Sequence, residues 1–151
     1  MVKIENEVQT KGFQNEFHKA QVNIIFTGWW LKNRMLPFLR SHGLSHEQFN
    51  VLRIIRGRKN KAVCVKDITA RMLERSSNTT RIIDKLEVKQ LVARRQSQQD
   101  KRELYIVLTE QGTALLKKID QEWMEGDPVR IGLNEVEAGI LNTLLDKLRD
   151  V

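Results

Sequence analysis

The chain has 151 residues, a formal net charge of +7, and 40% hydrophobic against 30% charged residues. That mixture belongs to a folded domain and excludes a disordered or low-complexity chain. A chain this long buries roughly 70% of its unfolded surface without disulfide staples; its single cysteine, Cys64, excludes an internal disulfide and a cysteine-cluster metal site.

No run of 18 or more apolar residues occurs, so no membrane span is expected. The first residues, Met1-Val2-Lys3-Ile4-Glu5-Asn6-Glu7, are unlike a signal peptide, and with the lone cysteine they point to a reducing cytoplasm. The charge is unevenly placed. From Arg53 to Arg102 there are 15 Lys/Arg and 5 Asp/Glu, whereas the rest of the chain carries 11 and 14. A basic middle between near-neutral ends suggests a polyanion-binding face. Charge alone leaves nucleic acid, anionic lipid and simple solubility open.

Residues 13–39 form one expected long helix, with Phe13, Phe17, Ile24, Leu31 and Met35 at spacings of three, four and seven. Val22, Ile25, Phe26, Trp29 and Trp30 widen that stripe enough to suggest burial on two sides. Pro37 should kink or end the helix, and Ser41-His42-Gly43 supplies a break. Ser45 and Gln48 form a capping-box pattern for a helix that buries Phe49, Leu52 and Ile55 and ends near Gly57. A basic loop follows, then Ala62-Val63-Cys64-Val65, either a small edge strand or an extended lead into the next helix.

Lys66–Leu73 reads as a short helix without a strong N-cap. After Glu74-Arg75-Ser76, either Ser76 or Ser77 caps a second helix to about Lys89, with Thr79, Ile83 and Leu86 inward. Ser77, Asn78, Thr80, Arg81 and Lys85 occupy the opposite face. Two short helices joined by three residues, the second polar and basic outside, read as a helix-turn-helix. Residues 91–95 and 103–108 are β-prone and flank a polar basic loop, which predicts a hairpin. A hairpin directly after a helix-turn-helix is a wing. Thr109 opens another helix, Gly126-Asp127-Pro128 breaks it, and Asn134 with Glu137 caps the last.

Several segments resemble the MarR family of winged helix-turn-helix transcriptional regulators, from about Phe17 to Leu148. Thr80-Arg81-Ile82-Ile83-Asp84-Lys85-Leu86-Glu87 is similar to the family's recognition-helix signature, and Asp100-Lys101-Arg102 to its Asp-x-Arg wing motif. Leu108-Thr109-Glu110-Gln111-Gly112 is similar to the Leu-Thr-x-x-Gly run after the wing, and residues 44–52 resemble the family's second-helix start. The chain departs from the family at Gln90, where most members have glycine. Either Gln90 is left-handed or the turn differs locally.

The resemblance implies a mainly α (α+β) fold. In it, 45–108 is a DNA-binding lobe, and 5–40 and 110–151 are helices that build a homodimer. It implies a pseudo-palindromic operator of double-stranded DNA with half-sites about 10 bp apart, most often repression, and a cytoplasmic, nucleoid-associated protein of a bacterium or archaeon. Ser76, Ser77, Asn78, Thr80, Arg81 and Lys85 would meet bases and phosphates, the alternative being a solvated polar face. Arg102 would enter the minor groove with Asp100 supporting it, against the alternative of a surface ion pair. Arg94, Arg95 and Lys101 would neutralise phosphates.

His42 and His46 are four apart but fall in different elements, so no metal or other cofactor is expected. Cys64 reads as a small buried residue before a redox sensor. Phe26, Trp29, Trp30 and Met35 are candidates for lining a cleft that takes a small aromatic or acidic effector; residues so spaced are more often plain core. The competing reading is a winged-helix protein–protein adaptor or a nonspecific nucleoid-type protein. No enzyme is expected, because three scattered histidines and one cysteine assemble no catalytic set.

Overall fold

The computed structural model describes residues 2–58, 63–74, 78–96 and 104–150. A single helical turn, α1 (Ile4–Glu7), buries Ile4, and Glu5 pairs with Lys19 at 2.7 Å on the helix that follows. That helix, α2 (Glu16–Ser41), starts three residues later than the apolar stripe suggests, because Asn15 caps it by accepting the His18 N–H at 2.8 Å. It also runs four residues beyond Pro37. The hydrogen bond lost at proline is offset just beyond it, where Leu39 is fully buried in the core and Phe38 packs against it. Gly43 ends the helix at φ +69: its N–H reaches the Arg40 carbonyl and the Leu44 N–H the Leu39 carbonyl, both at 2.9 Å. This is the paired bonding of a Schellman motif, which favours a residue without Cβ at the left-handed position.

The helix α3 (His46–Gly57) carries the expected capping box, with the Ser45 N–H donating to Gln48 at 3.2 Å and the Gln48 N–H to Ser45 Oγ at 3.3 Å. Val63 then forms one bridge, accepting the Ile106 N–H at 2.8 Å, and among the described residues of the β-prone run it alone joins the sheet. In α4 (Val65–Arg71) the N-cap missing from the sequence reading is the reverse half of a box. Asp67 accepts the Cys64 N–H at 3.3 Å.

The second helix of the pair, α5 (Thr79–Val88), buries Thr79, Ile83 and Leu86. Strands β1 (Val92–Gln96) and β2 (Leu104–Leu108) pair antiparallel with Val92 opposite Leu108 and Gln96 opposite Leu104. Then α6 (Glu110–Gly126) packs Leu116 and Ile119 into the core and stops at Asp127, which is left-handed at φ 32. Finally α7 (Glu135–Arg149) has the Asn134–Glu137 capping box and no buried residue.

One core joins the end of α2, α3, α4, α5, both strands and α6 around Leu39, Leu52, Ile68, Ile83, Ile106 and Leu116. The first two-thirds of α2 and all of α7 lie outside it. Several of their apolar residues face outward: Phe17 is 82% exposed, Ile25 74% and Val136 72%. Among the described residues, no helix is long and apolar enough to cross a membrane.

Candidate nucleic-acid interface

Helix α5 shows one face to the core and another to solvent, set by its 3.6-residue period. Thr79, Ile83 and Leu86 are buried, so Thr80, Arg81, Asp84, Lys85 and Val88 are exposed on the other side. Arg81 and Lys85 make no ion pair among the described residues, which leaves both cations available to an anion. The exposed row therefore carries a hydroxyl, a guanidinium and an ammonium on a rigid helix.

The cap of α5 differs from expectation. Asn78 caps it by accepting the Arg81 N–H at 3.1 Å, in place of Ser76 or Ser77. Gripping adenine through two hydrogen bonds needs both the oxygen and the nitrogen of an asparagine amide. Here the oxygen already accepts the Arg81 N–H, so an adenine would have to share that oxygen while meeting the NH2 group. Ser76, Ser77, Asp100, Lys101 and Arg102 lie outside the described residues.

The two strand arginines part company. Successive strand residues point to opposite faces. Arg95 is exposed, whereas Arg94 turns toward α5, where its guanidinium bonds both Asp84 and Glu87. The hydrogen bond with Asp84 first, and the nearby Glu87 charge with it, hold the Arg94 guanidinium above its ordinary pKa. Arg94 is thus not a free phosphate-neutralising charge: the short connection after α5 brings β1 back across the helix and places its arginine between two carboxylates. Sequence reading missed Asp84 and Glu87 as partners. Their spacing of three on one helix turn, ahead of an arginine in the next strand, is the signal that could have found them.

The turn between α5 and β1 is held from α6. Gln90 is left-handed at φ 59, the first of the two alternatives left by its departure from glycine. The Thr109 hydroxyl donates to the Gln90 carbonyl at 2.6 Å and accepts the Gly112 N–H at 3.0 Å.

A cleft of about 330 Å³ opens between α2, α3 and the end of α4, lined by the apolar Leu31, Met35, Phe49 and Met72 and by the charged Lys32, Glu47, Arg53 and Glu74. Of the four residues proposed to line such a cleft, only Met35 does. Phe26, Trp29 and Trp30 stand on the earlier part of α2. At 1.5 Å of rise per residue, Trp29 lies about 9 Å along the axis from Met35. There the Arg34 guanidinium sits 4.9 Å over the Trp30 ring, and Trp29 is 59% exposed. Lys32 pairs with Glu74 across the cleft.

The histidines are engaged separately. The His42 ring lies between the Phe38 carbonyl (Nδ1, 2.9 Å) and Glu122 (Nε2, 3.0 Å), and His46 Nε2 meets the Lys32 carbonyl at 2.6 Å. Cys64 is half-buried.

The model of the MarR family matches residues 44–104, from the start of α3 into β2. The HTH-type transcriptional regulator MhqR of Bacillus subtilis is 30% identical over 119 residues, covering 78% of this chain and 81% of that protein. The chain belongs to the MarR family. Its winged-helix fold is that of the MarR-family transcription regulators. The transcriptional repressor MprA of Escherichia coli K12 is 29% identical over 89 residues, 59% of this chain and 50% of its own; the chain spans about half the length of that relative. Among solved structures, a cysteine-to-serine mutant of Escherichia coli MarR complexed with operator DNA superposes with a TM-score of 0.77. It shares 22% identity over 92% of this chain and 99% of that one, and so shows the shared fold.

Proposed function

We propose that this MarR-family regulator is a homodimeric cytoplasmic repressor whose two α5 helices enter successive major grooves of a pseudo-palindromic operator. The observation that carries the reading is the exposed Thr80–Arg81–Lys85 row on a helix whose other face is locked into the core. Arg81 and Thr80 would meet base edges and phosphates, and Lys85 and Arg95 phosphates alone. By the family resemblance Arg102 would probe the minor groove with Asp100 behind it, and Ser76, Ser77 and Lys101 would add backbone contacts.

The dimer is supported by what α7 lacks. A 15-residue helix with no buried residue is marginal in water, and Ile140, Leu144 and Leu148 make it amphipathic with its apolar side about half exposed. Segments 5–40 and 110–151 would supply the two-fold interface in which each copy covers the other, with 45–108 as the DNA-binding lobe.

The effector site belongs in the Leu31–Met35–Phe49–Met72 cleft, whose size suits a small ligand. Its walls are apolar, and Lys32 and Arg53 in its lining are paired with Glu74 and Asp120, so a small aromatic ligand held by apolar contact fits it better than one held by its charge. Such a ligand releases DNA only by binding more tightly to one separation of the two α5 helices.

The test is fluorescence anisotropy with the protein's own upstream DNA and a scrambled duplex over a salt series, with Arg81→Ala alongside and sedimentation for the oligomeric state. A repressor gives tight, sequence-selective binding with a steep salt slope, lost in Arg81→Ala. Ile140→Glu is expected to yield monomers that bind far more weakly. Equal weak binding to both duplexes, repeated with DNA recovered by genome-wide site selection, would favour a nonspecific nucleoid-type protein.

A further inference from the structure

We infer that Arg94 governs DNA binding from inside the protein, as a positioning residue that acts through Asp84 and Glu87 and touches no phosphate itself. Three observations carry this. The arginine lies on β1 opposite Ile106, inside the sheet register, yet its guanidinium crosses to α5 and forks onto both carboxylates. Its backbone N–H also faces Glu87 at 3.4 Å. Arg95, next along the strand, is exposed and without an ion pair among the described residues, so the strand already carries one cation free for DNA.

The arrangement solves a charge problem in the recognition helix. Between Thr79 and Val88 the side chains carry two cations, Arg81 and Lys85, and two anions, Asp84 and Glu87. Asp84 stands on the same exposed row as Arg81 and Lys85, where DNA would present a phosphate every few ångströms. Left open, the two carboxylates would repel the phosphates that the cations attract. Arg94 cancels one of the two negative charges and holds both carboxylates in place, as a planar guanidinium can where an ammonium is a point charge. The same contact ties β1 to α5, so the strand and the helix are held as one body. An arginine bonded to two acids costs those bonds before it can reach a phosphate, which is why a direct contact is the lesser use of it.

A double-mutant cycle separates the two uses. Wild type, Arg94→Ala, the pair Asp84→Asn with Glu87→Gln, and all three changes together are titrated against the duplex the wild-type protein selects from a randomised pool. Thermal denaturation of each variant checks folding. Arg94→Ala is expected to weaken binding roughly tenfold in the wild-type background, the scale of coupling within one charge network. It should cost almost nothing once the two acids are amides, with the salt slope then unchanged. A loss of equal size in both backgrounds, with a slope lowered by about one, would mark a phosphate contact and overturn the inference. No loss in either background would overturn it too. Arg94→Lys is the second variant should the alanine form fail to fold: it keeps a charge but not the fork, and should show a smaller loss that also vanishes with the acids. Failure of the wild-type protein to select any duplex would instead count against operator reading itself.

Discussion

The carbonyl oxygen of Leu91 lies where a Cβ on residue 112 would approach it to 2.1 Å, so only glycine fits at Gly112. The contact seats the first turn of α6 directly on the chain leaving α5. The Thr109 N–H donates to the same carbonyl at 3.2 Å, and the Thr109 hydroxyl bonds Gln90. The Leu-Thr-x-x-Gly run is therefore a clamp: threonine binds the turn before the wing, and glycine lets the helix close on it.

Gly112→Ala must push α6 away from Leu91. The obstacle is backbone, which cannot rotate aside, so the loss should reach the upper part of the ~1–3 kcal/mol usual for overpacking. Urea denaturation would measure it; stability within a few tenths of wild type would contradict the clamp.

Thr109→Val keeps the shape and removes the hydroxyl. The α6 cap and the bond to Gln90 go together, an expected cost of about 1–2 kcal/mol. Serine at this position should recover most of it, since the oxygen carries both bonds. Comparing the two variants by thermal denaturation decides the point.

Gln90→Gly should stabilise the protein. A side chain at φ 59 costs roughly 1–2 kcal/mol, and glycine returns part of that to the unfolded chain as entropy. A net gain of about 0.5–1 kcal/mol is expected, visible as a higher midpoint with an unchanged slope in urea.

Asp120 ties α6 to α3 by accepting from Arg56 at 2.5 and 3.2 Å and from Arg53 at 2.9 Å. The Arg56 hydrogen bonds first, and the two positive charges with them, hold its carboxyl below the ordinary aspartate value of 3.8. A carboxyl more acidic folded than unfolded stabilises the fold above the unfolded value and loses that stabilisation as pH falls through the folded one. Asp120→Asn should therefore lower stability at pH 7, and its deficit should shrink below about pH 3.8. Because the side chain is 42% exposed, added salt should reduce the effect. Denaturation midpoints from pH 7 to pH 2.5 would show the convergence or its absence.

Local signals made much of this protein readable from its residues. The Ser45–Gln48 and Asn134–Glu137 boxes, the buried Thr79, Ile83 and Leu86 and the paired strands all depend on neighbours within four positions or on simple alternation. The basic middle of the chain and the Thr-Arg-x-x-Asp-Lys run likewise point to the α5 face. What the tertiary structure decided involves partners that periodicity does not reveal. The passage of α2 beyond Pro37 rests on Leu39 meeting a core built from distant residues. The cleft collects Met35, Phe49 and Met72 from three helices, while the tryptophans of the same stripe stay outside it. Arg94 reads as one more cation in a basic run until the strand folds back over α5. A charge composition counts the groups but not who faces whom, and the pairing of an arginine is fixed only when the backbone brings two carboxylates within reach.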